Sequence, residues 1–217
     1  LSVFVYVVFI NMLNIIDGID GLASGISVVA FSFFGYVAFL DSSYFNMLVS
    51  MAGLGCLVPF MYYNMFSGRK IFLGDNGSLV LGVILGYLCL DYISTNNVAD
   101  QLLFGDNKII VLMAVFSYPL VDTLRVFIVR VSRKRSPFSA DKNHIHHHLL
   151  RLGFSHRKAT LVVIVYTLFI TSVSFLVKGI SINLAFILLL LVSVLVICLP
   201  SFLIKNEHGT ISFRKKG

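Results

Sequence analysis

Four polar side chains recur at every third position near the start of the chain: Asn11, Asn14, Asp17 and Asp20. In a helix or a 3₁₀ turn, this spacing places neighbouring members along one side. Their oxygen atoms suit a divalent cation, and a ligand rich in hydrogen-bond donors is the other natural partner. The alternative is an interhelical loop with Asx caps and no ligand, since loops use Asp and Gly routinely.

A further carboxylate, Asp75, stands between two glycines where a polar loop enters an apolar segment at Ser78. A helix N-terminus binds phosphate well, and an adjacent carboxylate can hold a Mg²⁺ ion that bridges phosphates. An ordinary N-cap made by Asp75 or Asn76 is the alternative. Arg69 and Lys70 lie just upstream and are able to face phosphate or lipid head groups.

Histidines are concentrated in one later segment, which holds four of the six in the chain. They are His144, His146, His147 and His148, and the basic residues before them include Arg133, Lys134, Arg135 and Lys142. The segment lacks the Cys partners or the His-Glu-x-x-His spacing typical of zinc sites. The pattern favours imidazoles that donate to a phosphate-bearing substrate, in a loop that closes over it. Structural histidines at a lipid interface are the alternative.

Two more polar positions lie in apolar surroundings. Asp122 and Arg125 are three residues apart, so they can be neighbours on a helix surface, and Pro119 should kink that helix. A charge inside a membrane segment is a functional candidate by default, and a buried structural ion pair is the alternative. Asn64, near the end of an apolar segment, is a further candidate for the site.

The elements that position these residues are predicted to be membrane helices, because 58% of the 217 residues are hydrophobic and only 12% are charged. Each span must satisfy its own backbone hydrogen bonds in lipid. We therefore predict an all-α, polytopic transmembrane helix bundle of about seven segments. They are Leu1–Ile16 (partial), Leu22–Leu40, Met47–Tyr63, Ser78–Ile93, Ile109–Val131, Thr160–Val177 and Ile180–Ile204.

The loops differ strongly in charge when they are assigned alternately to the two sides of the membrane. One side receives fourteen Lys and Arg residues and the other receives two. The positive-inside rule makes the basic side cytoplasmic, and every polar group described above lies on it. The net charge of +7 is therefore assigned to loops beside anionic lipid and not to a nucleic-acid site.

The first apolar segment is short, with only ten residues before Asn11, and the chain begins at Leu1. Such a helix spans about half a bilayer core. We expect residues 1–217 to form a single integral-membrane domain that is an N-terminally truncated part of a larger protein.

Taken together, these blocks resemble the polyprenyl-phosphate N-acetylhexosamine-1-phosphate transferase superfamily, also called glycosyltransferase family 4. Four blocks match in order: Asn11-x-x-Asn14-x-x-Asp17-Gly18-x-Asp20-Gly21, Phe72-x-Gly74-Asp75-x-Gly77-Ser78, Pro119-x-x-Asp122, and Asp141-x-Asn143-His144-x-His146-His147. The sequences Ile-Asp-Gly-Ile-Asp-Gly-Leu and His-Ile-His-His resemble the GlcNAc-1-phosphate transferase branch more than the muramoyl-pentapeptide branch. The resemblance implies undecaprenyl phosphate as the acceptor and the bacterial cytoplasmic membrane as the location.

The resemblance implies a Mg²⁺-dependent reaction, with Mn²⁺ as an alternative ion. The lipid phosphate attacks the β-phosphorus of a UDP-N-acetylhexosamine, lipid-diphosphate-sugar forms and UMP leaves, which initiates the synthesis of a cell-envelope polysaccharide such as lipopolysaccharide. By similarity, Asn14 and Asp75 are metal ligands. Nucleotide binding falls to Asp17, Gly18, Asp20 and Asn64, and the catalytic group comprises Asp17, Asp20, His144, His146 and His147. Membrane lipids are partners, nucleic acid is not, and a homodimer is compatible with this interpretation.

One family feature is missing, because members carry an Asp-Asp pair upstream and this chain contains none. That agrees with the expected truncation and leaves open whether the chain is active alone. A cation-coupled transporter with broken helices and a non-catalytic membrane scaffold are the rival classes. A transporter should place its polar residues near the membrane midplane, and a scaffold gives no reason for several blocks to match one enzyme pattern.

Overall fold

The computed structural model describes residues 2–95, 107–132, 134, 136 and 144–208. Within these residues the chain forms nine helices and no strand, which confirms the predicted all-α fold. In chain order they are α1 (Ser2–Ile16), α2 (Leu22–Leu40), α3 (Tyr44–Met65), α4 (Gly74–Ser94), α5 (Lys108–Val115), α6 (Ser117–Ser132), α7 (Ile145–Arg151), α8 (His156–Leu176) and α9 (Ile182–His208).

The chain is a multi-pass membrane protein by the length and composition of its helices. Among the described residues, α2, α3, α4 and α8 are long and apolar enough to cross a bilayer, and α5 with α6 forms a fifth, bent candidate. Each such helix closes its own backbone hydrogen bonds, as a lipid environment demands. The seven predicted segments correspond to α1 to α4, the α5–α6 pair, α8 and α9, whereas the short α7 carries the histidines.

The fifth predicted segment is broken into two helices. The axes of α5 and α6 differ by 75°, and the break lies at Phe116. In a continuous helix the ring of Pro119 would clash with the carbonyl group of Val115, four residues earlier. Pro119 instead lies in the first turn of α6, where a backbone N–H has no partner within the helix, so its missing N–H costs little. The proline was predicted to kink the helix, and the break lies just before it.

Helices α1 and α4 pack closely and run antiparallel. A Cβ atom at Gly82 would lie only 2.6 Å from the Cα atom of Ile10, and one at Gly86 would lie 3.0 Å from the ring of Tyr6. The lack of a side chain at Gly82 therefore permits the backbones of α1 and α4 to approach each other. Ile10, later in α1, lies beside Gly82, which is earlier in α4 than Gly86, the neighbour of Tyr6. The start of α4 is thereby brought beside the end of α1.

The core joins these helices to the break between α5 and α6. The rings of Phe9 and Phe116 meet edge to face with centroids 4.8 Å apart, and the Phe34 ring lies 6.4 Å from that of Phe116. All three side chains are buried, and between membrane helices such a contact stabilises the fold through van der Waals packing. This aromatic contact fixes where α6 begins, and with it the side chains that α6 presents to α7.

Candidate active site

The regularly spaced polar residues of the first block do not form one helical stripe. Asn11 and Asn14 lie on α1, whereas Asp17 and Asp20 lie in the turn that leads to α2. Ile19, between the two aspartates, is buried in the hydrophobic core and anchors this turn. As a result, the two carboxylates enter different environments.

Asp17 and Asp75, with Asn14 on the adjoining end of α1, form the first part of the candidate site, which we call the carboxylate cluster. Asp17 is half-buried, and Asp75 is exposed in the first turn of α4. The pKa of Asp17 is raised to about 6, first by burial and then by the negative charge of Asp75, against the lowering effect of a backbone hydrogen bond from Gly74. The two carboxylates therefore repel each other, and a cation between them would relieve that repulsion.

The donor atoms of this cluster fit a hard divalent cation. Asn14 is exposed on the last part of α1, the end that lies beside the start of α4. Throughout the described ranges, no group of three or more His, Cys, Asp or Glu side chains is arranged to hold a metal ion. Mg²⁺ commonly needs only one or two carboxylates, because waters and substrate phosphates complete its octahedral shell. Two carboxylates and one amide oxygen agree with that pattern.

The start of α4 differs from the expected N-cap. Leu73 occupies the N-cap position, and its own side chain makes no capping hydrogen bond. The alternative in which Asp75 or Asn76 caps the helix is therefore wrong, because α4 begins four residues earlier than predicted and includes both. This leaves the Asp75 carboxylate exposed at the helix end, where the helix dipole favours negative charge.

Asp20 is neutralised by the protein, in contrast to Asp17. Its carboxylate pairs with the ammonium group of Lys70 and lies 3.5 Å from Nδ1 of His156. The hydroxyl group of Thr160 donates to the backbone oxygen of Asp20 at 2.7 Å. These contacts tie the α1–α2 turn to the segment before α4 and to α8. Asp20 therefore lies in a cross-linked part of the site.

Asn64 lies beneath the same region. It is buried near the end of α3, and its Nδ2 atom donates to the backbone oxygen of Ile71 at 2.7 Å. Its Oδ1 atom is buried and accepts no hydrogen bond from any residue that the structure describes. The side chain thus shapes the segment that carries Lys70 and leads to Asp75.

Four side chains of α6 and the histidine segment form the second part of the site, which we call the histidine network. They are Tyr118, Asp122, His144 and His146. Asp122 is fully buried, and its Oδ2 atom lies 2.9 Å from Nδ1 of His144. Its Oδ1 atom accepts from the backbone N–H of Ile145 at 3.1 Å and from Nη2 of Arg125 at 3.0 Å. Asp122 therefore holds the start of α7 against α6.

His146 connects this network to the α1–α2 turn. Its Nδ1 atom lies 3.0 Å from the hydroxyl oxygen of Tyr118, and a Cβ atom at Gly18 would lie 2.8 Å from its Nε2 atom. The side chain is only 1% exposed, and this burial, with the neighbouring His147, lowers its pKa to about 3. His146 is therefore neutral at physiological pH. The absence of a side chain at Gly18 makes room for this imidazole.

The remaining histidines of α7 are more accessible. His147 is half-buried, with its ring centroid 4.4 Å from that of His146. Burial lowers the pKa of His148, and the positive charges of Arg125 and Arg151 lower it further. His147 and His148 thus form the less buried face of this short helix.

Sequence reasoning identified most of these positions but missed Tyr118. The signal was present, because Tyr118 lies one helical turn before Asp122 and shares its face of α6. Several residues of the predicted lid lie outside the described residues: Arg133, Arg135, Asp141, Lys142 and Asn143.

Comparisons with known proteins show which sequences this chain is similar to. Residues 1–93 match the model of glycosyl transferase family 4. The chain is 36% identical over 120 residues to the decaprenyl-phosphate N-acetylglucosaminephosphotransferase of Mycolicibacterium smegmatis, which covers 54% of this chain and 29% of that protein. It is 32% identical over 142 residues to the probable undecaprenyl-phosphate N-acetylglucosaminyl 1-phosphate transferase of Bacillus subtilis, covering 65% and 37%.

A third relative matches a longer stretch. The undecaprenyl-phosphate alpha-N-acetylglucosaminyl 1-phosphate transferase of Escherichia coli is 27% identical over 158 residues, covering 71% of this chain and 41% of that protein. The matched part of the chain thus spans less than half the length of each of these curated relatives.

Proposed function

We propose, because residues 1–93 match the model of glycosyl transferase family 4, that the chain is part of a membrane-bound sugar-1-phosphate transferase. The proposed donor is a UDP-N-acetylhexosamine, with UDP-GlcNAc as the first choice, and the acceptor is undecaprenyl phosphate. The acceptor phosphate attacks the β-phosphorus of the donor, and the products are UMP and a lipid-diphosphate-sugar.

The observation that carries this proposal is the meeting of three sequence blocks at one turn. Asp17 feels the charge of Asp75, and the neighbouring Gly18 lies against His146. These residues come from α1–α2, α4 and α7, which are far apart in the sequence. A diphosphate placed there would have carboxylates able to hold a cation on one side and imidazoles on the other. Phosphoryl transfer depends mainly on such positioning and electrostatics.

Asn14, Asp17 and Asp75 are the residues that would hold Mg²⁺, with Mn²⁺ as the alternative ion. When bound, the ion neutralises charge on the diphosphate during transfer. Asp17 and Asp75 hold negative charge at the turn, and Gly18 leaves space beside it. The proposed donor to a phosphate oxygen is His147, which is half-buried. Asn64 supports the segment that leads to Asp75.

The proposed membrane arrangement follows from charge. The histidine segment, the end of α6 and the start of α8 carry basic residues, which we assign to the cytoplasmic face of the bacterial inner membrane. The donor would enter from the cytoplasm, and the polyprenyl phosphate would reach the site from the lipid phase. Basic side chains there would also contact anionic lipid head groups.

The proposal is tested by UMP release from UDP-GlcNAc and undecaprenyl phosphate over a Mg²⁺ titration, with the protein expressed from its complete gene. Asn14→Ala and Asp75→Asn should each lower turnover by about 10²–10³-fold, because a ligand of the charge-neutralising ion is lost. Both variants should remain in the membrane. Asp41→Asn is the matched control, since Asp41 follows the far end of α2.

Two results would overturn the proposal. One is a wild-type protein that releases no UMP from any UDP-N-acetylhexosamine tested. The other is near-normal turnover by both metal-ligand variants at low Mg²⁺, which would place the ligands elsewhere.

A further inference from the structure

Two residues of α6 each contact the Nδ1 atom of a different histidine at the start of α7. Tyr118 and Asp122 are four residues apart, so they lie one above the other on one face of the helix. The hydroxyl oxygen of Tyr118 is 3.0 Å from Nδ1 of His146, and Oδ2 of Asp122 is 2.9 Å from Nδ1 of His144. Tyr118 and Asp122, which we call the two anchors, thus each hold one imidazole through its Nδ1 atom.

The imidazoles are arranged as a parallel pair. The ring planes of His144 and His146 differ by 6°, and their centroids are 5.6 Å apart. Because both Nδ1 atoms face α6, both Nε2 atoms face away from it. For His146 that direction leads to Gly18, beside the carboxylate cluster.

The two anchors differ in hydrogen-bonding chemistry. An ionised carboxylate only accepts, and Asp122 already accepts from Arg125 and from the backbone N–H of Ile145, which only donate. Nδ1 of His144 must therefore carry a hydrogen to bond with it. The hydroxyl group of Tyr118 is wholly buried, and a buried O–H without an acceptor costs about 1–3 kcal/mol. Among the residues that the structure describes, Nδ1 of His146 is the acceptor that this hydroxyl group contacts, so we assign it no hydrogen.

We propose that Tyr118 and Asp122 are positioning residues that hold His146 and His144 in opposite tautomers. His146 then carries its hydrogen on Nε2, so it offers an N–H towards the Gly18 turn. His144 carries its hydrogen on Nδ1, so its Nε2 atom is an acceptor when the ring is neutral. The consequence for catalysis rests on the proposed function: His146 serves as an uncharged donor whose direction is set by Tyr118.

The tautomers can be measured without substrate, by ¹⁵N nuclear magnetic resonance of the chain labelled at histidine nitrogens in detergent micelles. His144→Gln and His146→Gln each remove one set of signals and thereby assign the spectrum. We expect a protonated Nε2 with a hydrogen-bonded, unprotonated Nδ1 at His146, and a protonated Nδ1 at His144. A hydrogen on Nδ1 of His146, or on Nε2 alone of His144, would overturn the proposal.

Tyr118→Phe isolates the hydroxyl group. The Nδ1 signal of His146 should shift downfield as its hydrogen bond is lost, while the His144 signals remain. Tyr166→Phe is the matched control, because Tyr166 is also buried, packs edge to face on Tyr118 and donates its hydroxyl to the backbone of Ser193. An unchanged Nδ1 signal in Tyr118→Phe, or the same shift in both variants, would contradict the assignment.

Activity provides a second readout. Tyr118→Phe should lower kcat for UMP release about tenfold, as the loss of an orienting partner commonly does, whereas Tyr166→Phe should stay near wild type. Equal losses in both variants would mean that the Tyr118 hydroxyl contributes packing alone, against the proposal. Failure of the proposed reaction itself would appear as an inactive wild type, and it would leave the spectroscopic result standing.

Discussion

The two parts of the site satisfy their polar groups in opposite ways. In the histidine network, Asp122 and the Nδ1 atoms of His144 and His146 have partners within the protein and are buried. In the carboxylate cluster, Asp17 and Asp75 face each other with like charge, and Asp75 and Asn14 are exposed. The contacts that hold the two Nδ1 atoms are made within the protein, whereas the two carboxylates of the cluster repel each other.

This contrast indicates a division of labour. A buried polar network whose members are all satisfied makes the local structure rigid. Carboxylates held together at a cost to stability are typical of sites that bind a cation or do chemistry. The histidine network should therefore fix the shape of the site, and the carboxylate cluster should bind what comes into it. Variants in the carboxylate cluster should lose activity and gain stability, whereas variants that remove a buried member of the histidine network should lose both.

The largest effect should come from the carboxylate cluster. Asp17→Asn should lower UMP release by about 10²–10³-fold, because it removes negative charge where the ion is bound. The same change should raise the unfolding temperature, since the repulsion from Asp75 is lost. After solvent screening, that gain should be no more than about 1 kcal/mol. Thermal unfolding followed by circular dichroism, beside the activity assay, measures both.

Asp20→Asn is the comparison for that variant. Asp20 is paired with Lys70 and His156, so the Asp20→Asn protein should be less stable than the wild type. If Asp17→Asn lost stability as well, the cluster would not be the strained part of the site.

The histidine network should show the opposite coupling. His146→Ala should lower turnover by about 10²–10³-fold and also destabilise the fold, because Tyr118 loses its hydrogen-bond acceptor and a cavity opens. His147→Ala should lower turnover to a similar extent with little change in unfolding temperature, because His147 is only half-buried. Zinc analysis of the same preparations distinguishes histidines that donate to phosphate from histidines that bind zinc. Stoichiometric zinc, or full activity in both variants, would exclude the donor role.

The contact between the two parts can be tested at Gly18. Gly18→Ala would place a Cβ atom 2.8 Å from Nε2 of His146, whose ring cannot easily yield because Tyr118 holds it. We expect the free energy of unfolding to fall by about 1–3 kcal/mol, the usual cost of overpacking.

A double-mutant cycle identifies the cause of that loss. In the His146→Ala background, the extra methyl group has space, so Gly18→Ala should cost much less there. Equal costs in the two backgrounds would mean that the contact does not constrain the turn.

The helices were predictable from sequence because long apolar runs leave few other choices in lipid. The residues of the candidate site were selected from the sequence because Asn14, Asp17, Asp75 and His146 fall in blocks with recognisable spacing. Their environments were not, since the difference between Asp17 and Asp20 depends on side chains from the segment before α4 and from α8. Local sequence does not contain that information.

Tyr118 was missed for a related reason. An aromatic residue in an apolar helix is most often part of the core, and only its contact with His146 distinguishes it. The break at Phe116 also depends on tertiary packing, through the contact with Phe9, although Pro119 indicated that the helix could not continue straight.

The smallest expected effect is a dependence of stability on pH that belongs to His146. Its pKa is lowered to about 3, first by burial and then by the charge of His147, with Asp122 opposing. An unfolded histidine has a pKa of about 6.5, so between these values the unfolded state binds a proton that the folded state does not. Stability therefore rises with pH through this window and is lost as the pH falls. From about pH 7 to about pH 5.5, the wild type should lose about 1 kcal/mol more than His146→Gln, which cannot titrate at this position. Chemical unfolding in one detergent at both pH values measures this difference. An equal change in the free energy of unfolding for the two proteins would contradict a neutral, buried His146.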